Sequence, residues 1–506
     1  MSRISNYSHT GFRVPCHWLV FDGARLENCE HRSARYQEIR VQLLRAIKRA
    51  EQHGGRPYVV PDTAFQGQVM LPTQQLARWL STQPESVLSS DAVRRERNGI
   101  DYLPAKADFR SSVQFMDKIV NQSLSRNLDL IQPEMYEEIR DAVDETMGMD
   151  NASWQEINLS QTMSVIISRT CTRVLFGLSL SRNHVYLCIL RLFLIFMGAS
   201  SLVIGQMPPW IIRPVIGVLL HIPTAVLKNL AGSYIRPFIE ERFQTGESDK
   251  QDQEEKSFVA QSVQSADKSK LQFSGCITDY LVNQFLFLAF AAIATTSAAA
   301  TNIFLDILSV ESRFHLYETL RSEAAPTFES ESDWTSARSV TRLTKMDSAI
   351  RESLRMNPLQ CRGLLKKVMP NDGIILPDGS YLPQGTWVGL PMRAIHYDDK
   401  LYPNPQEYDP YRFSRLKKVV EMEGHNEIPT SSYFDAAQPS DKFFSFSYGR
   451  SVCPGRWFAV RLLKLMISYV VIHYDIKPLS RRPRNLSFGD ASIPALSITI
   501  LVRRRK

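Results

Sequence analysis

The chain has 506 residues, 44% of them hydrophobic and 22% charged, and a formal net charge of +8. That is the balance of a globular protein with length for a large core and, on length alone, about three domains; it excludes a disordered, collagen-like or disulfide-dense chain. The basic excess suits an acidic protein partner or an anionic membrane surface, while the only dense basic run, Arg503-Arg504-Arg505-Lys506, argues against nucleic acid.

Residues 1–30 carry Arg3, Arg13, Asp22, Arg25 and Glu27 and no long apolar run, so no signal peptide or membrane anchor is read there. The first 56 residues read as an N-terminal extension. Within it, residues 35–52 are predicted helical, with Ile39, Leu43, Leu44 and Ile47 on one side. Residues 57–71 hold two candidate strands, 58–60 and 68–71, stopped by Pro61 and Pro72. Leu76, Trp79 and Leu80 begin a short helix. Residues 112–130 are predicted as one helix with apolar Val113, Phe115, Ile119 and Leu124, carrying Gln122-Ser123-Leu124-Ser125-Arg126 near its end. Residues 168–183 continue the helical core.

Residues 192–212 run uncharged between Arg191 and Arg213, long enough to span a membrane. Gln206 and Pro208-Pro209 interrupt them, and a second apolar run follows at 215–223, so a buried or interfacial helix pair fits equally well. Residues 245–269 are polar and charged and read as an exposed loop. A long apolar helix is predicted over about 279–308, containing Ala291-Ala292-Ile293-Ala294-Thr295-Thr296. Small residues let a helix pass close to a flat group, and a hydroxyl in the helix groove can bond a carbonyl and distort the ladder. Taken alone, such a stretch is more often a packing helix.

Glu352 and Arg355 form E-x-x-R, one helical turn apart on a shared face. Alone this is usually a surface ion pair. Residues 374–382 and 386–390 read as strands joined by Pro383-Gln384-Gly385, and Tyr408-Asp409-Pro410-Tyr411-Arg412-Phe413 follows. Phe443 to Gly455 then places Cys453 in a glycine-bounded loop just before an apolar helical run, 457–471. A thiolate there faces the positive end of a helix, which lowers its proton affinity. Gly449 and Gly455 let a flat cofactor lie against the backbone, and Phe443, Phe444 and Phe446 shield the sulfur from water. A single soft thiolate suits an iron ligand better than a four-ligand zinc site. The plain alternative is a buried structural cysteine. The other six cysteines (Cys16, Cys29, Cys171, Cys188, Cys276, Cys361) are scattered without C-x-x-C pairing, as in a reducing compartment. Residues 492–502 read as a final strand pair.

The spacing F-x-x-G-x-x-x-C-x-G at Phe446, Gly449, Cys453 and Gly455 resembles the haem-binding loop of the cytochrome P-450 family. The E-x-x-R helix and a segment like that family's P-x-R-F, ending at Arg412, precede it in the family's order. The resemblance covers about residue 57 to the C-terminus and implies one mainly α catalytic domain, 57–506, with a small β region. It implies haem b (iron protoporphyrin IX) with Cys453 as its axial and metal ligand. Glu352, Arg355 and Arg412 would form a buried support for the cysteine loop. Thr295 would relay protons from an A-A-x-x-T motif in which Ala292 takes the glycine position and Ala294 stands where an acid is frequent. Arg126 and Arg362, the latter four residues past Pro358, would meet haem propionates. Gln122 occupies the tryptophan position of the family's W-x-x-x-R, and Ser451 stands where Arg or His is usual, with Arg450 displaced by one. Residues 359–364 would border the substrate pocket.

The activity implied is that of a monooxygenase placing one oxygen from O2 into an apolar small molecule, a terpenoid or other secondary metabolite as in filamentous-fungal members. Electrons would come from NADPH through a cytochrome reductase, whose acidic face would meet Arg450, Arg456, Arg461 and Lys464. The resemblance implies membrane association — in this chain, without a visible anchor, through residues 192–223 — at the endoplasmic reticulum facing the cytoplasm. Two alternatives stand beside this reading: a redox-neutral haem-thiolate isomerase or dehydratase, and a non-catalytic haem-binding protein.

Overall fold

The computed structural model describes residues 56–61, 67–99, 115–205, 212–245, 258–268, 276–423 and 431–506. The helix expected at 35–52 and nearly all of the N-terminal extension lie outside the described residues.

The expected small β region is present. β1 (Tyr58–Pro61) and β2 (Gly67–Met70) pair antiparallel, with Tyr58 opposite Met70. β2 runs parallel to β8 (Trp387–Leu390), which pairs with β5 (Gly363–Val368), and β5 pairs with β3 (Leu88–Ser89), giving the order β1-β2-β8-β5-β3. β8 is buried along its whole length, as a central strand of four apolar or glycine residues requires. In β5 burial alternates, with Leu364, Lys366 and Val368 facing in.

Helices dominate the rest; those of eight residues or more are numbered here. α1 (Gln74–Thr82) is capped by Thr73, whose hydroxyl accepts the Leu76 N–H at 3.3 Å, and α2 (Ser90–Arg97) follows β3. α3 (Leu128–Met147), α4 (Leu159–Phe176), α9 (Thr295–Ser309) and α13 (Arg456–His473) pack together through Ile139, Val143, Ile166, Ile303, Leu462 and Met466, all fully buried. Their apolar residues recur at helical spacing, and burying that stripe is the main driving force for this packing. α5 (His184–Gly205) and α6 (Ile212–Thr245) form the helix pair expected around 192–223, joined by a Ser200 hydroxyl that donates to Leu220 O at 2.9 Å. His184–Gly205, Val215–Phe243 and Ile277–Ser309 are each long and apolar enough to cross a membrane by length and composition.

Several expectations are corrected. The helix predicted at 112–130 is helical over 115–119, then widens to a π-helical stretch, Val120–Ser125, breaks at Arg126 and Asn127, and restarts as α3. The loop predicted at 245–269 contains α7 (Phe258–Lys268), which buries Phe258, Val259, Ser262 and Val263. The long helix predicted at 279–308 is α8 (Ile277–Ala289), a π turn at Phe290–Ala294, and α9. The strand predicted at 374–382 is a hairpin of β6 (Ile374–Ile375) and β7 (Tyr381–Leu382). The final strand pair is not a pair. β11 (Ala491–Ile493) pairs with β10 (Leu486–Phe488), while β12 (Thr499–Arg504) lies between β4 (Gln155–Asn158) and β9 (Tyr474–Ile476). The remaining numbered helices are α10 (Leu316–Ala324), α11 (Thr344–Met356) and α12 (Arg412–Glu423).

Candidate active site

The loop before α13 is held by its own backbone bonds together with ties from neighbouring elements. Cys453 N–H donates to Phe446 O at 2.9 Å, and Val452 N–H to Gly449 O at 3.2 Å. Gly449 sits at φ +63°, and a Cβ added there would lie 2.6 Å from Ser81 Cβ, so the last turn of α1 rests on bare backbone. Ser447, at φ +61°, makes the preceding turn with its N–H on Phe444 O at 2.8 Å. From the far side, Ser125 in the π-helical stretch donates to Pro454 O at 2.8 Å. A Cβ at Gly455 would meet nothing nearer than Val120 Cγ1 at 4.0 Å, so the backbone beside the sulfur stands open.

Burial pushes the Cys453 thiol above its ordinary pKa, while the N–H groups of Gly455 and Arg456 and the Arg456 charge pull it down. The helix-end donors expected from the sequence are present, but burial outweighs them; a coordinating metal would deprotonate the sulfur outright. Phe443 and Phe444 are buried and Phe446 is half-buried, as a shield against water requires. Among the described residues no group of three or more His, Cys, Asp or Glu is placed to hold a metal ion. A lone sulfur beside open glycine backbone fits a flat cofactor that brings its own remaining ligands.

Glu352, Arg355 and Arg412 come together as a buried network. Arg355 donates to both Glu352 oxygens at 2.8 Å, through Nε and Nη2. Arg412 Nε reaches Glu352 Oε1 at 3.0 Å, and Asp409 N–H reaches the same oxygen at 3.2 Å. The outer arms bind carbonyls of the following segment: Arg355 to Pro405 O at 3.0 Å and Arg412 to Pro403 O at 2.6 Å.

His396 links this trio to the cysteine loop, and the sequence offered no signal for it. Phe444 N–H donates to His396 Nε2 at 2.9 Å. Nε2 is therefore an acceptor and the proton sits on Nδ1, which lies 3.0 Å from Arg355 O. Burial, aided by the charges of Arg355 and Arg351, pushes the imidazole down to about 3. Ser445 adds a second tie, its hydroxyl donating to Leu354 O at 2.9 Å. Arg351, also missed, is fully buried and donates to the carbonyls of Asp435 and Gln438; its guanidinium carbon lies 4.1 Å from the Phe443 ring centre and 4.7 Å from that of Phe413.

Thr295 starts α9 directly after the π turn. Its hydroxyl donates to Ala291 O at 2.7 Å, across the widened turn. Thr295 and Ala291 are exposed, whereas residues 300–308 of the same helix are buried on every side. Gln122 and Arg126 are exposed at the end of the π-helical stretch. Arg362 is no solvated arginine: it is buried, with Nη1 on Gln68 Oε1 at 2.6 Å and Nε on Asp490 Oδ2 at 3.3 Å. Ser451 meets Ser90, hydroxyl to hydroxyl, at 2.9 Å. Of the basic residues read as a docking face, Lys464 is buried against Asp347 at 2.6 Å and Arg461 pairs with Asp129 at 2.7 Å. Arg456 donates to Cys453 O at 2.9 Å, and Arg450 is exposed. Lys464 thus faces inward, whereas Arg461 is half-buried in a pair with the exposed Asp129.

The cytochrome P450 family profile matches residues 96–502. The chain is 62% identical over 462 residues to a protein of Polytolypa hystricis named cytochrome P450 monooxygenase polB, covering 90% of this chain and 87% of that one. It is 34% identical over 455 residues to cytochrome P450 monooxygenase nodZ of Hypoxylon pulicicidum, covering 89% and 84%. Against cytochrome P450 monooxygenase efuH of Hormonema carpetanum it is 32% identical over 461 residues, covering 90% and 81%. Likeness of this extent shows the family: the chain belongs to the cytochrome P450 family and is a monooxygenase, an oxidoreductase.

Proposed function

We propose that this monooxygenase places one oxygen atom from O2 into an apolar small molecule, a terpenoid or other secondary metabolite, with haem b bound at Cys453 and electrons passed from NADPH by a reductase. The observation that carries the cofactor reading is the lone, half-buried Cys453 sulfur just ahead of α13, beside the open Gly455 backbone. When bound, the haem supplies oxygen activation, which a thiolate ligand favours by electron donation.

The protein's own part is positioning and proton handling. Cys453 offers the ligand, and the N–H groups of Gly455 and Arg456 stabilise its charge. Phe443, Phe444 and Phe446 keep water from it. Glu352, Arg355 and Arg412, acting through His396, fix the loop. Arg126 and Arg362 bind the propionates, with Gln122 adding a hydrogen bond. Thr295 Oγ1 holds a proton in the break of the helix. Thr295 supports oxygen activation, while Ala294, which supplies no neighbouring acid, leaves room for a second reading, a redox-neutral isomerase or dehydratase.

Residues 57–506 form the catalytic unit in this reading. The exposed apolar stripe of α6 (Val215, Leu219, Ile222, Val226, Leu230), with exposed Ile195 on α5, supports docking on the cytoplasmic surface of the endoplasmic reticulum. Exposed Arg450 supports an acidic reductase face nearby.

The test is the carbon monoxide difference spectrum of the reduced protein, wild type and Cys453→Ala. A long-wavelength Soret band, lost in the variant, supports thiolate ligation; absence of haem in the wild type sinks the reading. Turnover that proceeds without NADPH and O2 would replace the monooxygenase reaction with the redox-neutral one.

A further inference from the structure

Asp490 lies in the turn between β10 and β11, just after Gly489 at φ +59°. Turn aspartates usually face water; this one is buried, its side chain 4% exposed. Its carboxylate receives two guanidinium groups from distant parts of the chain. Arg97, the last residue of α2, donates to Oδ1, and Arg362 donates to Oδ2 at 3.3 Å. Burial opposes ionisation of Asp490, but the two arginines hold its carboxyl below the usual range. The backbone completes the junction. Cys361 N–H donates to Asp490 O at 2.7 Å, Ser492 N–H donates to Leu359 O at 2.9 Å, and Arg97 also reaches Gln360 Oε1 at 3.3 Å.

One carboxylate therefore ties the β10–β11 turn to the end of α2 and to residues 359–362. The same contact fixes the orientation of Arg362, because Nε is held by Asp490 while Nη1 is held by Gln68 on β2. A guanidinium is a planar fork, so fixing two of its nitrogens fixes the direction of the rest.

We propose that Asp490 is a positioning residue that orients Arg362 for a haem propionate and pins the β10–β11 turn beside residues 359–362, so that cofactor seating and placement of that turn are coupled. This rests on the reading above in which Arg362 meets a propionate. Residues 359–364 border the substrate pocket in the sequence reading, so the coupling makes their placement depend on a seated cofactor.

The experiment uses the full chain, hemin-free and hemin-loaded, as wild type, Asp490→Asn, Arg362→Gln and the double variant. Hydrogen exchange is followed over residues 486–493, and hemin release is followed by transfer to an excess of apomyoglobin. In Asp490→Asn the amides of 486–493 exchange about tenfold faster or more, and hemin leaves about tenfold faster, as expected on losing charge-assisted hydrogen bonds. In the Arg362→Gln background, Asp490→Asn produces no further change in hemin release, an outcome that general destabilisation would not give. Unchanged exchange, or equal effects of Asp490→Asn on hemin release in both backgrounds, overturns the proposal. Should Asp490→Asn fail to fold, Arg97→Gln removes the outer arm alone; it must speed exchange over 486–493, and unchanged exchange again overturns the coupling. A wild-type chain that binds no hemin would sink the cofactor reading, whereas unchanged exchange in a hemin-binding chain sinks the coupling alone.

Discussion

Replacing Glu352 by Gln keeps the shape of the side chain and removes its charge from the most buried ion network around the cysteine loop. Four donors converge on this carboxylate: Arg355 Nε and Nη2 at 2.8 Å, Arg412 Nε at 3.0 Å and Asp409 N–H at 3.2 Å. Glu352 and Arg355 have no exposed side-chain surface, and Arg412 has 7%. After the substitution two guanidinium groups remain buried without their counter-charge, and the amide NH2 points a donor at a donor. Breaking a buried pair in this way costs roughly 3–5 kcal/mol, a large part of the about 5–15 kcal/mol that holds a typical domain. The internal control is Arg313–Glu407, of nearly the same length at 3.1 Å but with side chains 62% and 55% exposed. Glu407→Gln is expected to cost less than about 1 kcal/mol. Urea unfolding of both variants and the wild type, with hemin content measured alongside, makes the comparison. Equal, small losses for the two variants would refute the claim that burial gives the trio its weight.

Three further outcomes follow from the same geometry. Gly449→Ala places a methyl 2.6 Å from Ser81 Cβ at φ +63°, so it costs about 2 kcal/mol or more and lowers hemin retention; an unaltered urea midpoint would contradict it. His396 is held down to about 3 in the folded chain, against about 6.5 unfolded, so folding is penalised where only the unfolded imidazole is charged. Its contribution is full above pH 6.5 and falls as pH drops toward 3, a loss of about 2 kcal/mol at pH 5 relative to pH 8 that should be missing from His396→Gln in urea titrations at the two values. Thr295→Ala is expected to lower product formed per NADPH by about tenfold to a hundredfold while leaving the carbon monoxide spectrum intact, and Thr295→Ser should restore most of it; equal yields in all three proteins would remove Thr295 from the proton path.

What was legible in the sequence was local spacing. The loop from Phe446 to Gly455 carries its own backbone pattern, and Glu352 and Arg355 must share a helix face at that separation. What was not legible were the partners across the fold. Nothing near His396 marks it as the acceptor for Phe444 N–H, because that contact joins positions 48 residues apart. The same holds for Asp490, whose two arginines come from the end of α2 and from the residue just before β5. Composition misled at α7, where a few apolar residues in a polar sequence, Phe258, Val259 and Val263, are buried. Basic residues on α13 misled in the opposite sense: Lys464, read as part of a reductase-docking face, is buried against Asp347, and Arg461 is half-buried beside Asp129. The π turn at Phe290–Ala294 was foreseen as a possible distortion from the hydroxyl of Thr295, and the bond to Ala291 O is present.

Two neighbouring arginines on α11 show why charge alone does not determine a site. Arg355 finds a carboxylate, and its fork matches both oxygens of Glu352. Arg351, four residues earlier and equally buried, instead lies between the rings of Phe443 and Phe413 and donates to Gln438 O at 2.7 Å. Burial disfavours its charge, yet the ring faces and carbonyl dipoles return part of the lost hydration. A lysine would present one compact, strongly hydrated ammonium to that slot and could not stack on either ring. The helix thus grips the approach to the cysteine loop twice: Arg351 holds 435–438 and the Phe443 ring, and Arg355 holds His396 and through it Phe444. Since both grips act on residues just before Cys453, the position of the sulfur is set by α11 as much as by the helix that follows it.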